Sequence, residues 1–257
     1  MKRDEKTFAT LILAAGKGTR MKSELVKVLH PVAGRPMLDH VLSLAEQMGS
    51  SRIAVIIGHQ AELVEARYAN RGLAFVYQRE QLGTGHAVLQ AAEAFAGYRG
   101  TILILCGDVP LLRASTIRDL MERHRASGAA ITVLTTLLED PFGYGRIVKD
   151  AEGNVLGIVE HRDATEEQKK IREINTGIYC AENPFLFEAV RAIGNDNAQK
   201  EYYFTDIFAI ARRKGVRTAS VIAPDPGEVM GINSPDDLAR ATEIVQERLK
   251  EKLKDSR

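Results

Sequence analysis

Strand-like and helix-like segments alternate over the first 138 residues, and this alternation constrains the fold more than any other feature of the chain. Short apolar runs of the kind that form buried strands are each followed by a stretch with helical spacing of its apolar residues. The strand-like runs are residues 7–13, 52–58, 73–78, 101–108 and 129–138. Strands that alternate with helices indicate βαβ units. We therefore predict an α/β fold with a mostly parallel, mixed sheet that is flanked by helices.

The alternation ends after about residue 138. Residues 143–161 hold two apolar runs on either side of "DAEGN", a sequence typical of a turn, which predicts an inserted β-hairpin. A strand over 175–181, helices over 183–193 and 202–215, and a late strand over 216–223 are predicted to follow.

The last segment has the pattern of a long helix. It begins with Ser234, Pro235 and Asp237, an arrangement similar to a capping box. Its apolar side chains form one stripe, which consists of Leu238, Ile244, Val245, Leu249 and Leu253. No internal repeat or change in composition marks a second domain. We predict one domain over residues 1–234 and a C-terminal helix over 235–257.

Composition and charge exclude several classes of protein. With 35 Lys and Arg against 34 Asp and Glu, the net charge is +1, so we expect no nucleic-acid partner. The charged start "MKRDEKTF" is not typical of a signal peptide, and no apolar run is long enough to span a membrane. The two cysteines, Cys106 and Cys180, follow apolar runs and are predicted to be reduced. We expect a cytoplasmic protein whose oligomeric state stays open.

A glycine-rich, cationic loop follows the first predicted strand in "LILAAGKGTRM". It lacks the spacing of a P-loop, and Met21 stands where a dinucleotide-binding fingerprint needs a third glycine after Gly16 and Gly18. Glycines let backbone amides approach an anion, and Arg20 and Lys27 can bind phosphate oxygens. The loop therefore indicates a phosphate site, although a plain turn with solvated basic residues has the same pattern.

Two further strand ends carry candidate site residues, and ligands of open α/β sheets bind at the carboxyl ends of strands. Gly83 and Gly85 flank Thr84 at the start of a predicted helix, where backbone amides can meet a ligand. Asp108 follows an apolar strand and is a candidate ligand for Mg²⁺, which prefers one or two carboxylates together with substrate phosphates. The alternative for Asp108 is a helix cap.

Eight motifs follow one another along the chain: "LAAGKGTRM", "QLGTGHA", "GDVPL", "GYGRI", "IVEHRDAT", "EINTGI", "EYYFTDI" and "VMGIN". Together they resemble the uridylyltransferase (pyrophosphorylase) domain of bacterial bifunctional N-acetylglucosamine-1-phosphate uridylyltransferase / glucosamine-1-phosphate acetyltransferase. The resemblance spans about residues 7–240. It implies a Rossmann-like nucleotidyltransferase fold, UTP and N-acetylglucosamine 1-phosphate as substrates, and Mg²⁺ as cofactor. The product, UDP-N-acetylglucosamine, would be a nucleotide-sugar precursor for peptidoglycan.

The resemblance also implies roles for individual residues. Those expected to line the nucleotide site are Leu13, Ala14, Ala15, Gly16, Gln78, Gly83, Thr84, Cys106 and Gly107. Those expected to hold the triphosphate and assist catalysis are Arg20 and Lys27. Those expected to bind Mg²⁺ are Asp108 and Asn233. Those expected to hold the sugar and its N-acetyl group are Gly145, Glu160 and Asn175.

Some of these residues also have ordinary structural interpretations. Glu160 at a strand end could accept hydrogen bonds from sugar hydroxyls, or it could be a solvated hairpin edge. Asn233 precedes the last helix and could be a turn residue instead of a metal ligand. His86 and His161 lie in the motifs, but the histidines lack metal-ligand spacing, so we expect them to pack or to form loop hydrogen bonds.

The implied reaction is a direct in-line displacement at the α-phosphorus of UTP, with charge neutralisation by Mg²⁺, Arg20 and Lys27. Two alternatives remain open. The sugar could be another sugar 1-phosphate, such as that of N-acetylgalactosamine or glucose, or the chain could be a catalytically silent nucleotide-sugar binding module. A nucleotide-binding oxidoreductase is disfavoured by the broken glycine fingerprint.

The chain departs from the family pattern at three places. Val26 stands where the family usually has proline, which makes the position of Lys27 less certain, and Lys200 stands where glycine is common. The chain also has none of the hexapeptide repeats that form the family's acetyltransferase domain. We therefore expect no acetyltransferase activity from this polypeptide.

Overall fold

The computed structural model of the chain describes residues 7–255. Its strands are β1 Ala9–Leu13, β2 Pro31–Val32, β3 Arg35–Pro36, β4 Ile53–Ile57, β5 Ala74–Tyr77, β6 Gly100–Cys106, β7 Ile131–Leu137, β8 Arg146–Lys149, β9 Val155–Val159, β10 Glu173–Asn183 and β11 Thr218–Ile222. Its α-helices are α1 Met37–Gln47, α2 Ala61–Tyr68, α3 Thr84–Gln90, α4 Ala114–Ser127, α5 Glu166–Lys169, α6 Phe185–Val190, α7 Ile207–Arg213, α8 Pro226–Val229 and α9 Pro235–Asp255.

The central sheet has the strand order β11-β7-β10-β6-β1-β4-β5. Strands β6, β1, β4 and β5 are parallel to one another, and β11 is parallel to β7. Strand β10 lies between β6 and β7 and is antiparallel to both. The hairpin β8–β9 joins the sheet through β10. The predicted mostly parallel, mixed sheet with a hairpin insertion is confirmed.

Both faces of the sheet are covered, as the predicted α/β fold requires. In β6, Ile102 and Ile104 enter a core beneath α3, α6 and α7, whereas Leu103 and Leu105 enter a second core beneath α1, α2 and α4. All four side chains are fully buried. Burial of each stabilises the fold by about 2 kcal/mol. Because both faces are apolar, the parallel strands appear in the sequence as continuous hydrophobic runs.

Some local predictions were wrong in their limits. The helix predicted from residue 202 begins at Ile207, after a 3-10 turn over Phe204–Asp206. The backbone of Tyr202 is already paired with the loop around residue 83, so it cannot enter a helix. The helix predicted over residues 85–97 is α3, which ends at Gln90 and continues only as turns. The short pair β2–β3 was not predicted.

The C-terminal helix begins as predicted. The Asp237 carboxylate accepts a hydrogen bond from the Ser234 amide at 2.9 Å, and the Ser234 hydroxyl accepts one from the Asp237 amide at 3.2 Å, as in a capping box. The first part of its apolar stripe packs on the small cluster that contains Met21 and Ile232. Further along the helix, Leu249 is exposed.

Two predicted features lie outside the described residues. They are the side chain of Leu253 and residues 1–6 of the charged N-terminal segment. Within residues 7–255, every helix is either too short or too polar to traverse a lipid bilayer.

Candidate active site

The glycine loop after β1 brings a lysine against the backbone. Gly18 has φ +63°, and a Cβ atom there would lie 2.6 Å from the Cβ of Lys27. Only glycine allows both this conformation and this close approach. Lys27 is buried and follows Val26, whose φ of −54° is close to the value that a proline ring would impose. The departure at Val26 therefore leaves the approach to Lys27 intact.

Four predicted residues from three loops converge at one point. The ammonium of Lys27 donates hydrogen bonds to the Asp108 carboxylate and, at 2.7 Å, to Oδ1 of Asn233. Nη2 of Arg20 donates to the same Asn233 oxygen at 2.9 Å. Two cations thus share the Asn233 oxygen, and one of them also binds the Asp108 carboxylate, although Arg20 and Asn233 are 213 residues apart.

The loops that carry Asp108 and Asn233 are tied together through the backbone. The Ile232 amide donates to the carbonyl oxygen of Asp108 at 2.9 Å. The Asn233 amide donates to the Asp237 carboxylate at 2.9 Å, so the cap of α9 also fixes Asn233. The backbone of Asn233 is thus held at the start of α9, while its side chain faces the cation cluster.

A cavity of about 360 Å³ adjoins the cluster. Eight of the predicted site residues line it: Leu13, Ala15, Gly16, Gln78, Gly83, Thr84, Cys106 and Asp108. Ala14 and Gly107 are buried beside it and do not line it. The Gly107 amide donates to the carbonyl oxygen of Leu13 at 2.9 Å, which joins the two strand ends. Seven of the nine residues predicted to bind the nucleotide therefore share one surface.

The segment around Tyr202 closes one side of this cavity. Its amide donates to the Leu82 carbonyl oxygen at 2.8 Å, and its carbonyl oxygen accepts from the Gly85 amide at 2.7 Å. A Cβ atom on Gly83, which has φ +112°, would lie 2.7 Å from that same carbonyl oxygen. Close approach of the two segments therefore requires glycine at this position. Gln78 also fixes the loop, since its Nε2 donates to the Gly83 carbonyl oxygen at 3.1 Å.

The three predicted sugar residues form a second group. The Asn175 amide donates to the Gly145 carbonyl oxygen at 2.9 Å. A Cβ atom on Gly145 would lie 3.4 Å from both carboxylate oxygens of Glu160. The Thr205 hydroxyl donates to Glu160 at 2.9 Å, and burial raises the pKa of this carboxyl group. The interpretation of Glu160 as a solvated hairpin edge is therefore wrong.

Several site residues were missed by the sequence analysis. A second cavity of about 490 Å³ is lined by Arg20 and Asn233 together with Tyr144, Asp237 and Arg240. Tyr144 lies inside a quoted motif, but nothing in its spacing separates a cavity wall from a core position. Thr205, in "EYYFTDI", was also missed as the partner of Glu160. These contacts depend on segments that are distant in sequence.

The structure also shows the surroundings of the histidines, the cysteines and Lys200. His86 is within hydrogen-bond distance of Gln78 and Gln90, and His161 packs edge-on against Phe142 with ring centroids 4.5 Å apart. No cluster of three or more His, Cys, Asp and Glu suited to a metal occurs over residues 7–255. Both cysteines are free. Lys200 has φ +56°, which explains the family preference for glycine there.

Comparisons with known proteins identify the family of the chain. The family of MobA-like NTP transferase domains matches residues 10–172. The bifunctional protein GlmU of Geobacter metallireducens is 54% identical over 247 residues, which are 96% of this chain and 52% of that protein. GlmU of Desulfotalea psychrophila is 48% identical over 95% of this chain and 72% of its own length. The chain spans about half the length of the Geobacter relative.

A solved structure extends the comparison to the whole fold. A UDP-glucose pyrophosphorylase complexed with UDP-glucose superposes with a TM-score of 0.73 at 17% identity. The match covers 94% of this chain and 99% of the other. At this identity the likeness concerns the fold. The chain belongs to the MobA-like NTP transferase family, within which it is a nucleotidyltransferase domain of the GlmU type.

Proposed function

We propose that the chain transfers UMP from UTP to N-acetylglucosamine 1-phosphate in the presence of Mg²⁺, which yields UDP-N-acetylglucosamine and pyrophosphate. The convergence of Arg20, Lys27, Asp108 and Asn233 beside a glycine-lined cavity carries this proposal. The eight motifs that resemble the GlmU uridylyltransferase domain supply the identity of the substrates. We infer a cytoplasmic location, which the free cysteines support.

The side chains at this point fit a magnesium ion. Asp108 and Asn233 direct one oxygen each at a common cation, which in this structure is the ammonium of Lys27. Mg²⁺ favours such a site, with one or two protein oxygens, because it keeps its other positions for waters and phosphates. When bound, Mg²⁺ would supply Lewis acidity and neutralise phosphate charge.

The reaction needs no protein nucleophile. An ionised phosphate oxygen of the sugar phosphate attacks the α-phosphorus of UTP and forms the new P–O bond. The bond from that phosphorus to the bridging oxygen of the β-phosphate breaks, and its electron pair leaves with pyrophosphate. Arg20 and Lys27 offset the repulsion between the two anions and stabilise the charge on the leaving group. Positioning of both substrates supplies the rest of the acceleration.

Each of the two groups of residues binds a different substrate. The 360 Å³ cavity takes the nucleotide, with Gly16, Gly83 and Gln78 in its lining. Glu160 and Asn175 take the sugar, since a carboxylate accepts hydrogen bonds from hydroxyls and an amide group can donate to an oxygen.

The first experiment follows pyrophosphate release from the purified chain with UTP, Mg²⁺ and N-acetylglucosamine 1-phosphate. Parallel reactions contain other sugar 1-phosphates, the other nucleoside triphosphates, or EDTA. Release with UTP and the N-acetyl sugar, abolished by EDTA, is the expected result. Release with another sugar would keep the mechanism and change the substrate. A folded protein that releases no pyrophosphate with any pair would be a silent binding module.

A further inference from the structure

Asn175 lies at a β-bulge in β10, and its backbone is hydrogen-bonded to Gly145, which lies beside Glu160. The pairing of β10 with β7 shifts register between Asn175 and Ile178. Gly177 has φ +79°, and a Cβ atom there would lie 2.9 Å from the sulfur of Cys106, so the bulge closely approaches the end of β6. Cys106 lines the cavity assigned to the nucleotide. The bulge therefore joins the nucleotide and sugar sides of the site.

The orientation of the Asn175 amide is determined by its neighbours. The backbone amide of Gly177 lies 3.0 Å from one terminal atom of the side chain. A backbone N–H can only donate, so that atom is the oxygen Oδ1. The hydroxyl of Tyr179 donates to the same oxygen at 2.9 Å. A carbonyl oxygen has two acceptor positions, and these two donors fill both.

We propose that Tyr179 is a positioning residue, which holds Asn175 so that only its NH₂ group faces the sugar. This inference rests on the proposed function. The site then has a fixed polarity: Asn175 offers donors only, whereas the carboxylate of Glu160 accepts. A sugar that fits must place an oxygen acceptor, such as a carbonyl or ring-hydroxyl oxygen, at Asn175 and a hydroxyl donor at Glu160.

Tyr179 is itself held rigidly. It is 2% exposed, and its ring packs edge-on against Phe204 with centroids 5.0 Å apart. Burial raises the pKa of the phenol well above its ordinary value, so the hydroxyl stays protonated and able to donate. The neighbour of Phe204 is Thr205, which donates to Glu160. One 3-10 turn thus braces both the donor and the acceptor of the sugar site.

The test is steady-state kinetics of Tyr179→Phe, which keeps the ring and removes only the hydroxyl. We expect KM for N-acetylglucosamine 1-phosphate to rise about fivefold, the change that corresponds to one neutral hydrogen bond. We expect kcat and KM for UTP to stay within about twofold, because neither depends on the lost hydrogen bond. The control is Tyr68→Phe, since Tyr68 is equally buried in the core on the opposite face, and it is expected to leave all constants unchanged.

A double-mutant cycle separates positioning from general packing. If Tyr179 acts through Asn175, then Tyr179→Phe has no further effect on sugar KM in an Asn175→Ala background. If Tyr179 had a purely structural role, Tyr179→Phe would raise the sugar KM by the same factor in the wild-type and Asn175→Ala backgrounds. This additive result would overturn the proposal. Equal increases in KM for sugar and UTP, or unchanged kinetics in Tyr179→Phe, would overturn it as well.

Asn175→Asp tests the polarity directly. The aspartate can accept from Tyr179 and Gly177 but cannot donate, so we expect its sugar KM to rise at least as much as that of Asn175→Ala. Sugar binding as tight as in the wild type would show that Asn175 is not a donor. Failure of the wild-type protein to use any sugar phosphate is a distinct outcome. It would overturn the proposed function, and the positioning role would be rejected with it.

Discussion

The proposed nucleotide side and the proposed sugar side of the site are built in different ways. The nucleotide side consists largely of backbone and glycines at the ends of parallel strands, with loops that approach each other closely at Gly18 and Gly83. The sugar side consists of side chains just after β9 and on β10, which are held by hydrogen bonds from Thr205 and Tyr179. Backbone binding depends on local conformation, whereas side-chain binding depends on supporting contacts. Substitutions on the two sides should therefore fail in different ways.

The largest effect is expected at the junction of the two sides. Asp108→Ala should reduce kcat by at least about a hundredfold, or roughly 3 kcal/mol, because it removes a proposed ligand of the Mg²⁺ that neutralises phosphate charge. Arg20→Ala should lose a similar factor, because it removes a cation that stabilises the charge on the leaving group. Pyrophosphate release measures both, and circular dichroism checks folding. Asp196→Ala, at an exposed position, is the control. A folded Asp108→Ala protein with normal turnover would remove Asp108 from the reaction.

A glycine substitution tests the backbone character of the nucleotide side. In Gly83→Ala the new Cβ would lie 2.7 Å from the Tyr202 carbonyl oxygen at φ +112°. We expect a loss of about 3 kcal/mol in the free energy of unfolding, together with a higher KM for UTP. Gly97→Ala is the matched control, because Gly97 has φ +72° but open space around it, and should lose only about 1 kcal/mol. If urea unfolding showed that both variants lose the same free energy of unfolding, the close approach of Gly83 to Tyr202 would not be the cause.

Lys27 allows a test of competition between its ammonium and a divalent metal ion for the same ligands. Its ammonium occupies the point at which Asp108 and Asn233 converge. Lys27→Met should therefore bind Mn²⁺ about tenfold more tightly in the absence of nucleotide, because a like charge is removed, while turnover falls. Titration calorimetry or Mn²⁺ EPR measures the affinity. Lys17→Met, on the exposed part of the same loop, should leave it unchanged. Weaker Mn²⁺ binding in Lys27→Met would be evidence against a shared cation point.

The smallest effect is expected at Glu160, on the sugar side. Burial raises the pKa of its carboxyl group in the folded state. The folded protein therefore retains this proton to higher pH than the unfolded chain, and stability decreases as pH rises through the folded pKa. Glu160→Gln should be more stable than the wild type at pH 7, by about 1.4 kcal/mol for each unit of the shift, with a higher KM for sugar.

The pH dependence provides the check. The difference in stability should disappear in acid below the ordinary carboxyl pKa, where the side chain is protonated in both states. Urea unfolding of both proteins at neutral and acidic pH measures it. A difference that is independent of pH would mean that packing, and not the buried charge, separates the two proteins.

The sequence predicted the strands well and their directions incompletely. An apolar run such as that in β10 has the same pattern whether it is parallel or antiparallel, so its position between β6 and β7 could not be derived from it. The bulge at Asn175 was also hidden, because a register shift leaves the hydrophobic pattern almost unchanged. The helix start at Ile207 was predicted too early, since the preceding backbone hydrogen bonds go to a loop about 120 residues away.

The sequence by itself determined the layers of the fold and the types of residue at the strand ends. Hydrophobic periodicity is local, and glycines mark places where the backbone must approach something closely. Only the tertiary structure decided that the Lys27 ammonium lies between Asp108 and Asn233 and that Tyr179 orients Asn175. These contacts require atoms from distant segments to meet within about 3 Å, a condition that only the docking of the loops imposes.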